Sequence, residues 1–313
     1  MNCEPATFSA APTGHGGQGD PPGSPQDPRF QAGLSFAAVL HRCAIWWTIL
    51  RISMEERLVY RGDFALGTLM RFLPIVTQIF LWGAVFSAIE ATSGGASVAG
   101  YSYRDFIAYY LLTMLSRAFS SMPGLASGIA RSIRDGTVKK YLIQPIDMLG
   151  FLLLYRIAHK LVYYLVAAGP FALVFYLCRG FFPGWPDAVT LAAFVASLGM
   201  AFLLGFFLEA TLGMIGFWFL EVSSLLFVYM LFSYFFSGHM FPIDMLPGIL
   251  GKIVQMLPLQ YLAYFPSAVF LGKVTGPALA WGLTIQLTWV VFFIVASRVT
   301  FSLGVRRYSG YGG

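Results

Sequence analysis

The sequence predicts an all-α polytopic membrane protein with six transmembrane helices. Composition is the first reason. Of 313 residues, 58% are hydrophobic and 11% charged, with a mean hydropathy of +0.71; a soluble domain carries about 25% charged residues. Distribution is the second: long apolar runs recur between short polar or Pro/Gly-rich segments. The third is the placement of positive charge. With the N-terminus inside, the outer segments hold only Arg104, Arg179, Lys252 and Lys273 of the twenty Lys and Arg residues. The reverse orientation violates the positive-inside rule. The net charge of +6 is therefore read as cytoplasmic loops, and no nucleic-acid partner is expected.

The chain divides into a disordered tail, 1–33, and a membrane domain, 34–313. The tail is rich in Gly, Pro and Ser without an apolar run. No apolar core follows a basic start, so it is not expected to be a signal peptide. From Leu34 to Asp63, Trp46, Trp47 and Leu50 interleave with His41, Arg42, Arg51, Glu55, Glu56, Arg57 and Arg61. That pattern predicts a helix in the membrane interface; an ordinary solvated helix is the alternative.

The first span is expected over Phe64–Ile89, where Arg71 can snorkel toward the headgroups. A small-residue loop follows. Ser102 and Asp105 then match a capping box that opens the second span, about Phe106–Met122. This span is short and contains Arg117, which predicts protein-lined or interfacial surroundings.

Gly124–Asp147 is the most polar run inside the apolar part of the chain. Leu125, Ile129 and Ile133 recur every four residues and share one helical face. Arg131 and Arg134 fall on other faces, Gly136 stands where a helix would stop, and Lys139 and Lys140 follow. A basic amphipathic segment between two spans is either a loop on the lipid surface or a docking surface for a soluble partner.

Asp147 is placed to cap the next helix, about Met148–Cys178, whose first half carries Arg156, His159 and Lys160. The fourth span is expected over Ala188–Phe207. Glu209 and Glu221 bracket a short connection, and the fifth span follows over Ser223–Met240. Between Phe241 and Gly276 stand Pro242, Pro247, Pro258 and Pro266, with apolar runs too short to cross a hydrocarbon core of roughly 30 Å. These predict a short outer re-entrant hairpin. A sixth span, about Leu279–Ala296, leads to Arg298, Arg306 and Arg307.

Chemistry is sparse. No GxxxxGK[ST] loop occurs, so no phosphate cradle for ATP is expected on this chain. Cys3, Cys43 and Cys178 have no metal spacing, and the four histidines form no cluster. Asp244 reads as a helix cap. Glu209 and Glu221 are read as interfacial acids paired to Arg or Lys, in preference to a proton relay.

Several runs together resemble the permease subunits of ABC-2 type transporters, closest to six-span bacterial members. They are Arg61-Gly-Asp-Phe64, Gly100-Tyr-Ser-Tyr-Arg-Asp105, Ile133-Arg-Asp-Gly136 with Tyr141-Leu-Ile-Gln-Pro145, and Ser237-Gly-His-Met-Phe-Pro242 with Leu246, Pro247, Leu257, Pro258, Pro266, Leu271 and Gly272. The tail Arg306-Arg-Tyr-Ser-Gly-Tyr-Gly312 completes the set. The resemblance implies a bacterial plasma-membrane exporter with both termini cytoplasmic, paired with a second, identical or homologous, permease. It also implies separate cytoplasmic ATPase subunits that carry ATP and Mg, and no cofactor on this chain. It implies that Ile129, Arg131, Ile133, Arg134, Asp135, Gly136 and Lys139 belong to a coupling helix facing the ATPase. Pro242, Leu246, Pro247, Pro258, Pro266 and Gly272 would belong to the hairpin that closes the outer end. The competing expectations are an ATPase-independent secondary transporter or channel, and a membrane-embedded lipid-modifying enzyme built on Glu209, Glu221 and His239.

Overall fold

A computed structural model describes residues 44–56, 61–93, 97–144, 146–219 and 221–308. The expected tail, most of the resemblance's C-terminal run and Pro145 lie outside these residues. The chain divides into two units between Thr48 and Ile49. Residues 44–56 are helical (α1), and Arg51 bonds Glu55 one turn on at 2.9 Å, both side chains exposed.

Among the described residues, four helices are long and apolar enough to cross a membrane. They fall in α2 (Arg61–Ser93), α6 (Met148–Leu177), α7 (Ala188–Met214) and α11 (Gly276–Arg307). Two other helices complete the bundle but fall short of that standard. The first, α3 (Tyr103–Ser120), has 18 residues, carries Arg104, Asp105 and Arg117, and is buried along most of its length. The second, α8 (Ser223–Phe236), has 14 residues, or roughly 21 Å at 1.5 Å per residue. Thus the six expected spans divide into four that meet the length and apolarity of a crossing helix and two that do not.

Local chemistry sets the helix starts. Ser102 and Asp105 form the expected capping box: Asp105 N–H donates to the Ser102 hydroxyl at 3.3 Å, and Ser102 N–H to the Asp105 carboxylate at 3.2 Å. Asp147 caps α6 by accepting from Gly150 N–H at 2.8 Å. The loop before α3 contains a small hairpin, β1 (Ser97–Val98) and β2 (Tyr101–Ser102). Its turn puts Ala99 and Gly100 at φ 50° and 79°, as a tight two-residue hairpin turn requires.

Three expectations change. The fourth span does not end before Glu209, because α7 continues to Met214 with Glu209 inside it. The fifth helix stops at Phe236, not Met240. Asp244 caps nothing; it lies in a single turn of 3-10 helix, Ile243–Met245, and accepts from two tyrosines.

α7 is the axis of the bundle. It packs on α3, α11, α4 and α10. Its small residues allow the closest approaches: a Cβ on Gly205 would stand 2.1 Å from the Ser120 carbonyl oxygen, and one on Gly213 would stand 2.6 Å from that of Ala126.

Candidate functional site

Two ends of the bundle carry the sequence-predicted residues. At the first, α4 (Leu125–Arg134) follows α3 through an elbow at Ser121–Gly124. Gly124 takes φ 73°, which reverses the chain in a left-handed conformation that favours glycine. The face predicted from the four-residue repeat is buried: Leu125, Ile129 and Ile133 are each about 3% exposed or less and pack with Met214, Phe217, Phe206 and Met148. Ile129 and Ile133 thus face the bundle. Gly136, at φ 74°, ends α4 as expected. Val138 N–H returns to the Ser132 carbonyl at 2.9 Å, and Val138 is fully buried. A second short helix, α5 (Lys139–Ile143), follows.

The polar residues point the other way. Arg131, Arg134, Asp135 and Lys139 are exposed. Arg134 is tied down, to Glu221 at 3.3 Å and Asp135 at 3.4 Å. Ser223, through its hydroxyl and N–H, and then Arg134 hold Glu221 below the usual carboxylate range. Beside this basic group stand two apolar side chains that the sequence reading missed, Leu142 and Ile143, 39% and 82% exposed. Their signal was present in Tyr141-Leu-Ile: a short amphipathic segment without a buried residue.

The elbow is clamped from inside. Lys160 of α6 donates to the carbonyls of Ala118 and Ser121, the latter at 2.8 Å, and so satisfies the C-terminal end of α3. Glu209 of α7 is within electrostatic reach of Arg117, Arg156 and Lys160. Arg117 donates to Ser233 of α8 at 3.4 Å. Arg298 of α11 pairs with Asp147 through two bonds, 2.5 and 2.9 Å. Partial burial raises the Asp147 carboxyl, but Arg298 and the Gly150 N–H outweigh it and hold it below the usual range.

At the other end, the proline-punctuated segment folds as α9 (Gly248–Met256), a 3-10 stretch at Pro258–Leu262, and α10 (Tyr264–Phe270). Pro242 and Pro247 stand just before the Ile243–Met245 turn and α9, and Pro258 opens its 3-10 stretch, positions where a missing N–H costs nothing. Pro266 lies buried in α10, Leu246 packs against the core, and Gly272 turns the chain at φ 67°.

Long-range bonds tie this segment to the bundle. Tyr109 and Tyr110 of α3 donate to the carbonyls of Gly238 and Met240. Asp244 accepts from Tyr101 at 2.8 Å and Tyr264 at 2.6 Å. Burial, then the Asp244 charge, push the Tyr101 hydroxyl well above its ordinary value. Lys273 lies over the Tyr101 ring at 4.7 Å and pairs with Asp105 at 3.3 Å. Deeper in, Gln286 of α11 accepts from Ser197 of α7 at 2.8 Å and donates to the Ser197 and Tyr261 carbonyls.

The acids and histidine considered for lipid chemistry do not come together. α8 alone separates Glu221, before its first turn, from His239, after its last, by roughly 20 Å at 1.5 Å per residue. Among the described residues no His, Cys, Asp and Glu group is arranged to hold a metal.

Four long apolar helices, with a polar elbow at one end and a set of short helices at the other, define a multi-pass membrane protein. Residues 72–312 match the family model described as ABC-2 family transporter protein, and the chain belongs to that family. It is an ABC-2 type permease. Among curated proteins none matches it.

Proposed function

We propose that this chain is the membrane-spanning subunit of an ATP-driven exporter whose ATPase is a separate cytoplasmic chain. One observation carries the reading: α4 buries its apolar face against α7 while turning Arg131 and Arg134 outward, and Lys139 at the start of α5 is exposed as well. A helix held this firmly transmits force, and its outward charges set the orientation of a docked partner. Leu142 and Ile143 supply the apolar centre that such a contact needs. Pairing with a second permease, six crossings through α3 and α8, cytoplasmic termini and a bacterial plasma-membrane location belong to the same reading. The positive-inside distribution supports that orientation. ATP and Mg would sit on the partner, and the Tyr101–Asp244–Tyr264 contacts would hold the outer hairpin closed until the coupling end moves.

The test is co-purification from the native membrane followed by reconstitution. A bound chain with a phosphate-cradling loop and ATP-dependent, vanadate-sensitive export are expected. A lone oligomer that transports under an ion gradient, insensitive to vanadate, would overturn the proposal.

A further inference from the structure

One sizeable cavity among the described residues lies apart from both predicted sites. It is a groove of about 820 Å³ between α3, α6, α7 and α10, in the half of the bundle that holds the proline-rich segment. Its volume falls in the range of small-molecule sites, about 300–1,000 Å³. Leu112 and Leu115 of α3, Phe175 of α6, Phe194 of α7 and Phe270 of α10 line it. One charged side chain lines it, Arg179, which follows the end of α6. From Phe171 to Arg179 the wall runs for roughly 12 Å at 1.5 Å per residue, most of one leaflet of a hydrocarbon core about 30 Å thick.

The mouth has the chemistry of a headgroup depth. Arg179 rests over the Tyr176 ring at 4.5 Å, which orients its guanidinium. Among the described residues it has no carboxylate partner. The acid of the same loop, Asp187, is engaged at the start of α7, where it accepts from Thr190 and Val189. Trp185, 87% exposed, stands at the rim, where tryptophan favours the membrane–water boundary. A deep apolar slot with an unneutralised arginine at its mouth fits a molecule with an acyl chain and an anionic head.

We propose that this groove holds one membrane glycerophospholipid, an acyl chain along α6 and its phosphate on Arg179. The guanidinium fork suits a phosphate's oxygens. The lipid would touch α3, which leads to the elbow, and Phe270 of α10, which belongs to the outer hairpin. This is a bound lipid, separate from the cargo, and it rests on the membrane location alone, not on the exporter reading.

The experiment is native mass spectrometry of the full chain purified in mild detergent and titrated with phosphatidylglycerol or with diacylglycerol of the same acyl chains. The native chain is expected to retain one phosphatidylglycerol, and diacylglycerol far less. Arg179→Ala should lower phosphatidylglycerol retention at least fivefold and leave diacylglycerol unchanged. Ala172→Trp, which fills the slot, should abolish both. Leu173→Trp, on the same helix outside the groove wall, should behave as the native chain. Unchanged phosphatidylglycerol retention in Arg179→Ala would overturn the proposal. So would equal retention of the two lipids by the native chain, or equal loss in the two tryptophan variants. Arg179 is a surface residue, so its variant tests the site even if Ala172→Trp does not fold.

Discussion

Two acids carry long-range bonds that the sequence could not show. Asp244 joins Tyr101 and Tyr264, residues far from it in the chain. Asp244→Ala leaves two tyrosine hydroxyls without their acceptor and should cost about 1–2 kcal/mol, since the site is partly open to water. Thermal unfolding in detergent measures this; Asp244→Asn, which keeps an acceptor, should lose less. If the two variants melt together, the carboxylate charge rather than the acceptor count matters. Asp147 permits a pH test. Its carboxyl is held below the ordinary 3.8, so its contribution is present above that value and is lost as pH falls through the lower folded value. Both partners are about half exposed, which limits the pair to at most about 1 kcal/mol. Asparagine also caps helices, so Asp147→Asn isolates the Arg298 pair. Its unfolding temperature should fall less below about pH 4 than that of the native chain, and an identical acid limb in the two proteins would exclude this pair as a cause.

At the scale of elements, α4 was legible because its periodicity is local. Leu125, Ile129 and Ile133 announce one face, and that face is buried. The structure adds that Arg134 already has Glu221 as a partner, so reversing Arg134 alone creates a repulsion inside the chain. A swap separates the effects. Arg131→Glu should release the ATPase or abolish coupling, with the permease still inserted. Arg134→Glu with Glu221→Arg should restore the internal pair, and ATPase binding with it if the pair only positions α4. Measured ATPase recovery on the purified permease decides; recovery unchanged by Arg131→Glu would remove the coupling role. The end of α7 was not legible, for the opposite reason. A charge in an apolar run reads as a boundary, yet the helix passes through Glu209, where Arg117 of α3 and Arg156 and Lys160 of α6 supply compensating charge. The Asp244 acceptor pair was hidden likewise, since each tyrosine arrives from another element. Run length announced the four long helices. It misjudged α8, whose neighbours and not its own length set its end.

The whole molecule is joined lengthwise by α7, 27 residues or roughly 40 Å at 1.5 Å per residue. Its far third meets α4 so closely that Gly213→Ala would place a Cβ 2.9 Å from the Ala126 Cα, backbone that cannot rotate away. Toward its other end it is bound through Ser197 to Gln286, and through Gln286 to the Tyr261 carbonyl of the proline-rich segment. Motion at the elbow therefore has a contiguous packed route to the proline-rich end. The two contacts make different predictions in a reconstituted complex with its ATPase. Gly213→Ala disturbs the coupling contact, costs about 1–3 kcal/mol by overpacking, and should lower ATP hydrolysis and export together. Gln286→Leu keeps the volume near that of glutamine but removes the bonds between α7, α11 and the outer segment. It should leave ATP hydrolysis largely intact while export falls several-fold, because the motor still docks and the outer segment no longer follows. Both rates are to be normalised to the amount of folded, inserted protein. If Gln286→Leu lowers hydrolysis and export in the same proportion, Gln286 acts as a structural brace and the lengthwise route runs through other contacts of α7.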